Sequence, residues 1–146
     1  MPRPSKKGNQ PDPANFFDPQ SILDNAPVGV FTSTPDGRYI AVNHTTAEML
    51  GYENPHELIS SITDIASQVY ADPADRIKFM RLMEKCGEVL NHECRFRRRD
   101  GTEFWVSRNA RVLKDENGRI VAYQGFNTDI TDSKQTERAL RESEQR

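Results

Sequence analysis

Two short turn signals in the second half of the chain constrain its fold more than any other feature. Arg99-Asp100-Gly101 and Glu116-Asn117-Gly118 separate three strand-like runs between about Glu93 and Thr131. Asp-Gly and Asn-Gly supply the positive φ that tight hairpins between twisted strands require. The pattern therefore predicts a three-stranded antiparallel meander. At Asp129-Ile130-Thr131 the alternation stops, and the charged stretch Lys134–Arg146, free of Gly and Pro, predicts a polar helix fixed directly to the last strand. A sheet with a helix mounted on its end fits a sensor with an output lever better than it fits an enzyme.

The first half adds a hairpin and helices. Val28–Thr32 and Tyr39–Val42 flank Thr34-Pro35-Asp36-Gly37, Asn43 is placed to cap a helix running to about Leu50, and Gly51 ends it. Asn54–Leu58 and Thr63–Ile65 read as two short helical turns. Asp72-Pro73 opens a longer helix to Gly87, whose Ile77 and Met80, with nearby Phe79 and Met83, predict an apolar face. An antiparallel sheet with its helices gathered on one face is an α+β architecture.

Strand parity assigns faces, because alternate residues point to opposite sides. In the first meander strand Leu90, His92, Cys94 and Phe96 fall together, opposite Glu93, Arg95 and Arg97. In the second, Phe104, Val106, Ala110 and Val112 form an apolar row that Arg108 interrupts. In the third, Tyr123, Gly125, Asn127 and Asp129 share a face. The expected interior site is therefore Arg108 and Asn127 with Tyr123, Gly125, Val106, Ala110, Phe96, Cys94 and His92, closed by Ile77 and Met80 from the long helix. A buried guanidinium needs a carboxylate, a bound anion or a route to water. Arg108 thus anchors an acceptor-rich ligand such as a small organic acid, whose carboxylate fits the guanidinium fork, or else it snorkels at the edge or pairs with a carboxylate such as Asp64.

Composition removes several function classes. The formal charge of -2 gives no basic surplus for nucleic acid, and the Arg95–Arg99 strip lacks a repeated pattern of exposed aromatics beside it. The apolar runs are a few residues long, far short of the ~20 that cross a bilayer. Cys86 and Cys94 form no CxxC motif and are expected to be reduced, semi-buried thiols rather than a disulfide or metal site. Gly-rich phosphate loops, nucleophile elbows and HExxH are absent from the sequence, so no catalytic set is expected. Residues 1–19, rich in proline and polar groups, read as a leader in which Phe16 and Phe17 could dock on the domain; residues 20–131 form one domain and 132–146 a terminal helix.

These residues carry a family resemblance. Glu93–Ser107, Asp115–Ile120 and Gly125–Thr131 resemble the C-terminal half of a PAS domain. Asn25–Phe31, Asp36-Gly37 and Ile40–Asn43 through Ala47–Tyr52 resemble its N-terminal half. The resemblance implies a five-stranded antiparallel sheet with short helices and one longer helix on one face, followed by a linker helix. It also implies a sensory, non-enzymatic input module of a cytoplasmic, bacterial-type signalling protein such as a sensor histidine kinase, with the output domain in the same polypeptide. Haem-binding members place an axial histidine on the long helix, but Asp75 to Glu84 contains none, while His44, His56 and His92 fall elsewhere. In the family's flavin photoreceptors the reactive cysteine lies well before the long helix, whereas Cys94 follows it, so covalent flavin chemistry is not expected. The cofactor, if any, stays open.

Asp129 and Thr131 resemble the family's Asp-Ile-Thr junction, whose short polar side chains bond to backbone and set the helix direction. The helix beyond has a thin apolar seam, with Ile130, Glu137 and Glu144 in one heptad phase and Ser133 and Leu140 in another, so it needs a partner and is expected to pair in a homodimer. The alternative to a sensor is a ligand-free dimerisation or protein-interaction module whose core is filled by its own side chains.

Overall fold

Gly101 and Gly118 adopt φ of 92° and 79°, and each closes a hairpin of the meander. In this computed structural model, which describes residues 18–145, five strands make one antiparallel sheet. They are β1 (Gly29–Ser33), β2 (Tyr39–Val42), β3 (Glu88–Arg97), β4 (Glu103–Lys114) and β5 (Ile120–Asp129), in spatial order β2-β1-β5-β4-β3. Helices α1 (Pro19–Asn25), α2 (His44–Leu50), α3 (Pro55–Ser61), α4 (Ile65–Gln68), α5 (Pro73–Cys86) and α6 (Thr131–Glu144) complete the fold. The architecture is α+β. Helix α1 begins inside the stretch the sequence assigns to a leader, with Asp18 as its cap; Phe16 and Phe17 lie outside the described residues.

Local chemistry explains the boundaries. Asn43 is buried, and its Oδ1 accepts from Val30 N at 2.9 Å and Thr46 N at 3.1 Å. Its Nδ2 donates to the carbonyls of Leu23 and Val28 at 2.7 and 3.0 Å. One amide thereby caps α2 and ties α1 and β1 to it. Gly51 and Gly87 end α2 and α5 in the left-handed region, where a β-carbon would be strained. Gly125 is required for another reason: a Cβ there would lie 2.0 Å from the Asn109 carbonyl oxygen, so β4 and β5 pair closely only without a side chain.

The core lies between the sheet and α2–α5, and two expected faces need correction. Leu90 does not point inward but is 68% exposed. Val89 pairs with Ala110 and His92 with Arg108, so Leu90 and Asn91 together oppose Asn109 in a β-bulge, with Asn91 at φ 53°. Parity therefore slips by one, and Val89 takes the inward place. On α5 the buried residues are Arg76, Phe79 and Met83, whereas Ile77 is 52% exposed and Met80 only partly buried. The inward stripe runs i, i+3, i+7 from an arginine, a position that an apolar count assigns to solvent. Cys86 and Cys94 are both free thiols, but only Cys94 is buried; Cys86 is exposed rather than semi-buried.

Candidate ligand cavity and relay

Arg108 stands in the middle of β4, and the unbroken alternation from Phe104 to Ala110 turns it into the core, where it is 2% exposed. Its guanidinium lies 4.0 Å from the ring centre of Phe79, 5.1 Å from Tyr70 and 5.4 Å from Phe96. Nη1 donates to the Tyr70 hydroxyl and Nη2 to Cys94 Sγ at 3.1 Å, while Nε has no partner. Neither expected escape is taken. Arg108 does not reach solvent, and Asp64 instead accepts from Ser67 Oγ at 2.6 Å. Among the described residues no carboxylate pairs with Arg108. The charge is therefore held by aromatic faces and neutral acceptors alone.

A second buried arginine shares the space. Arg76, 4% exposed, reaches from α5 to donate from Nη2 to the Thr34 carbonyl at 3.1 Å, with its guanidinium 5.7 Å from Phe79 and 5.4 Å from Tyr123. Between the two arginines lies an internal cavity of about 10 Å³, also lined by Ser33, Tyr39, Tyr70 and Asn127. That volume admits about one water-sized probe. Ser33 Oγ and Asn127 Oδ1 are buried there without a hydrogen-bond partner. Burial raises the Tyr39 hydroxyl pKa well above its ordinary value, with Tyr70 adding to the effect, so Tyr39 supplies no negative charge to balance the arginines at neutral pH.

The structure brings Arg108, Asn127 and Phe96 to the cavity wall. Arg108 and Asn127 are direct cross-strand partners. Cys94 touches Arg108; burial raises its thiol pKa, against the opposing charge and hydrogen bond of Arg108. Tyr123 packs on Arg76 and edge-on to Phe79, with ring centres 5.3 Å apart. His92 pairs with Arg108 at the rim, and its Nδ1 is buried without a partner; burial and then the Arg108 charge lower its pKa. Val106 packs within the core. Ala110 and Gly125 pair directly, and both residues also border the outer face of the sheet. Ile77 does not take part, because it faces out, and Met80 packs at the margin of the core. Arg76, Ser33, Tyr39 and Tyr70 escaped the sequence reading. The one sequence signal was the spacing of Arg76 with Phe79 and Met83.

A contiguous set of contacts leaves the cavity toward α6. Phe96 meets Phe104 edge-on at 6.1 Å, Arg98 lies 4.1 Å from the Phe104 ring centre, and Arg98 Nη2 donates to Asp129 Oδ2 at 3.2 Å. Asp129 Oδ1 accepts from Thr131 N at 3.0 Å and from its hydroxyl at 2.6 Å, while Thr131 Oγ1 accepts from Trp105 N at 3.1 Å. Ile130 N donates to the Trp105 carbonyl at 2.9 Å. Beyond the junction, Lys134 sits 5.0 Å from the Trp105 ring and pairs with Glu93 at 2.5 Å. The first turns of α6 are thus clasped to β3 and β4.

A sequence model of the PAS domain matches residues 27–132, most of the chain and the whole of the sheet. The chain belongs to the PAS domain family. The PAS domain of a protein from Colwellia psychrerythraea aligns over 77% of this chain and 93% of its own, at 21% identity and a TM-score of 0.63. A sensory box histidine kinase/response regulator from Burkholderia thailandensis aligns over 90% and 95%, at 24% identity and 0.64. The PAS domain, in complex with ethanol, of a LuxR-family transcriptional regulator from the same species aligns over 77% and 97%, at 19% identity and 0.61. At these identities the solved structures share the fold alone with this PAS domain. No curated protein matches the sequence. Among the described residues no helix is long and apolar enough to cross a membrane, and no group of His, Cys, Asp or Glu side chains is placed to hold a metal ion.

Proposed function

We propose that this PAS domain is the sensory input module of a signalling protein, binding a small molecule between Arg108 and the helical layer and relaying occupancy through Asp129-Ile130-Thr131 to α6. One observation carries the reading: a fully buried guanidinium caged by Tyr70, Phe79 and Phe96 with no carboxylate partner among the described residues. Such a charge is expensive to hold in a core unless an anion or other acceptor-rich group visits it. An acceptor drawing Arg108 away from Tyr70 and Cys94 would shift Phe96, and Phe96 touches the Phe104–Arg98–Asp129 contacts that position α6. The ligand changes the output only by favouring one of two arrangements of these contacts. Output through a histidine kinase or similar domain in the same polypeptide, with α6 pairing across a homodimer, is consistent with the kinase-derived neighbour. The ethanol-bound neighbour is a precedent for very small ligands in this fold. Haem and covalent flavin fit poorly, since α5 carries no histidine and the cavity has about 10 Å³.

The filled core favours a second reading, in which the domain is a ligand-free interaction module. Mass spectrometry of small molecules released on denaturation, with an absorbance scan and thermal melts across a metabolite library, separates the two. A co-purifying or stabilising compound whose effect disappears in Arg108→Leu supports the sensor. An unmoved melting temperature with nothing released leaves the interaction module.

A further inference from the structure

Two arginines, not one, enclose the cavity, and they come from different layers of the fold. Arg108 belongs to the sheet and Arg76 to α5, and both guanidinium groups lie around the same Phe79 ring, at 4.0 and 5.7 Å from its centre. Like charges so placed in a core repel, and among the described residues neither has a carboxylate to offset it. Arg76 makes a single hydrogen bond there, to Thr34, which leaves most of its five donors uncommitted. Arg108 Nε is a further uncommitted donor, and Ser33 Oγ and Asn127 Oδ1 wait unpaired on the same wall.

We propose that Arg76 and Arg108 together form a receptor for one short carboxylate, each guanidinium taking one carboxylate oxygen, with Ser33 and Asn127 accepting a hydroxyl on the adjacent carbon where the acid carries one. The proposal rests on the sensory reading above and specifies its ligand class. The planar fork of arginine matches a carboxylate, and because the cavity of about 10 Å³ admits only about one water-sized probe, even acetate or glycolate enters only as its walls part, which favours the smallest acids. Because the two cations sit on opposite layers, the bound anion replaces their repulsion with a shared attraction. Binding therefore bridges α5 to the sheet and slows amide exchange along α5.

The test uses the 146-residue chain and compares acetate and glycolate with their neutral amides, acetamide and glycolamide, and with inorganic phosphate, at matched ionic strength. Melting temperature, calorimetric affinity and hydrogen exchange at α5 are recorded. The expected result is stabilisation by both acids, more by glycolate, with neither the amides nor phosphate acting. Arg76→Gln weakens acid binding about a hundredfold, whereas Arg76→Lys, which keeps the charge and guards against a folding defect, retains part of it. Equal responses to acids and amides overturn the proposal while leaving a neutral-ligand sensor intact. Wild-type acid affinity in Arg76→Gln also overturns it, leaving Arg108 as sole anchor. If no probe binds, the proposal fails, and release of some other molecule on denaturation decides whether the sensory reading survives.

Discussion

Arg108 is held at a cost to stability, and its removal measures that cost. Replacing a buried, uncompensated charge by an apolar side chain of similar reach is often stabilising, so Arg108→Met, whose thioether suits the ring cage, is expected to raise stability by about 1 kcal/mol while removing any ligand-dependent shift. Urea melts with and without ligand check both halves; a destabilised variant would mean that the aromatic faces fully compensate the charge. His92, beside Arg108, gives a pH signature. Its folded pKa lies below the ordinary 6.5, so as pH falls through about 6.5 the unfolded chain takes up a proton that the folded chain refuses. Stability is therefore lost below that pH, with no contribution from this group above it, and His92→Gln should flatten this part of the pH profile of the melting temperature. The sequence announced Arg108 because β4 alternates without interruption around it. It hid Arg76, because a charged residue on a helix is by default a solvated one, and only the packing of Phe79 and Met83 reveals which way its face turns.

At the level of elements, the clasp between α6 and the sheet has a built-in reporter. Trp105 is the only tryptophan, and its ring lies under Lys134. Asp129→Ala removes the acceptor of both Thr131 bonds and the partner of Arg98. The exposed ion pair itself is worth no more than about 1 kcal/mol, so the fold should persist while α6 loosens. The expected outcome is altered Trp105 emission, faster exchange at the start of α6, and loss of any ligand-induced emission change, with ligand affinity near wild type. Unchanged emission would detach the junction from the relay. Hairpins, caps and the long helix were legible in the sequence because each depends on local chemistry: Asp-Gly, Asn-Gly, Asn43, Asp72-Pro73. Faces were legible only where nothing interrupted the count, which is why β4 was read correctly and the start of β3 was not.

At the scale of the whole molecule, two apolar surfaces stand unpartnered among the described residues. One is the seam of α6, where Leu140 is 61% exposed; the other is the outer sheet face, where Leu90 and Phe126 are exposed. Pairing through α6 predicts that light scattering finds a dimer, that Leu140→Glu reduces it to monomer, and that Phe126→Asp leaves it intact. The reverse pattern would move the interface to the sheet.

The bulge at Leu90-Asn91 makes β3 one residue longer than its ladder requires. Losing Asn91 would place Val89, Leu90 and His92 opposite Ala110, Asn109 and Arg108 in regular order, with every inward side chain still inward. Losing Arg95, a few residues further on, would carry one flank of the strand through to the wrong side. A scan of single-residue deletions read by solubility and thermal melting should therefore show a sharp asymmetry along β3. The chain can be shortened where its backbone is most irregular, and cannot where it is most regular.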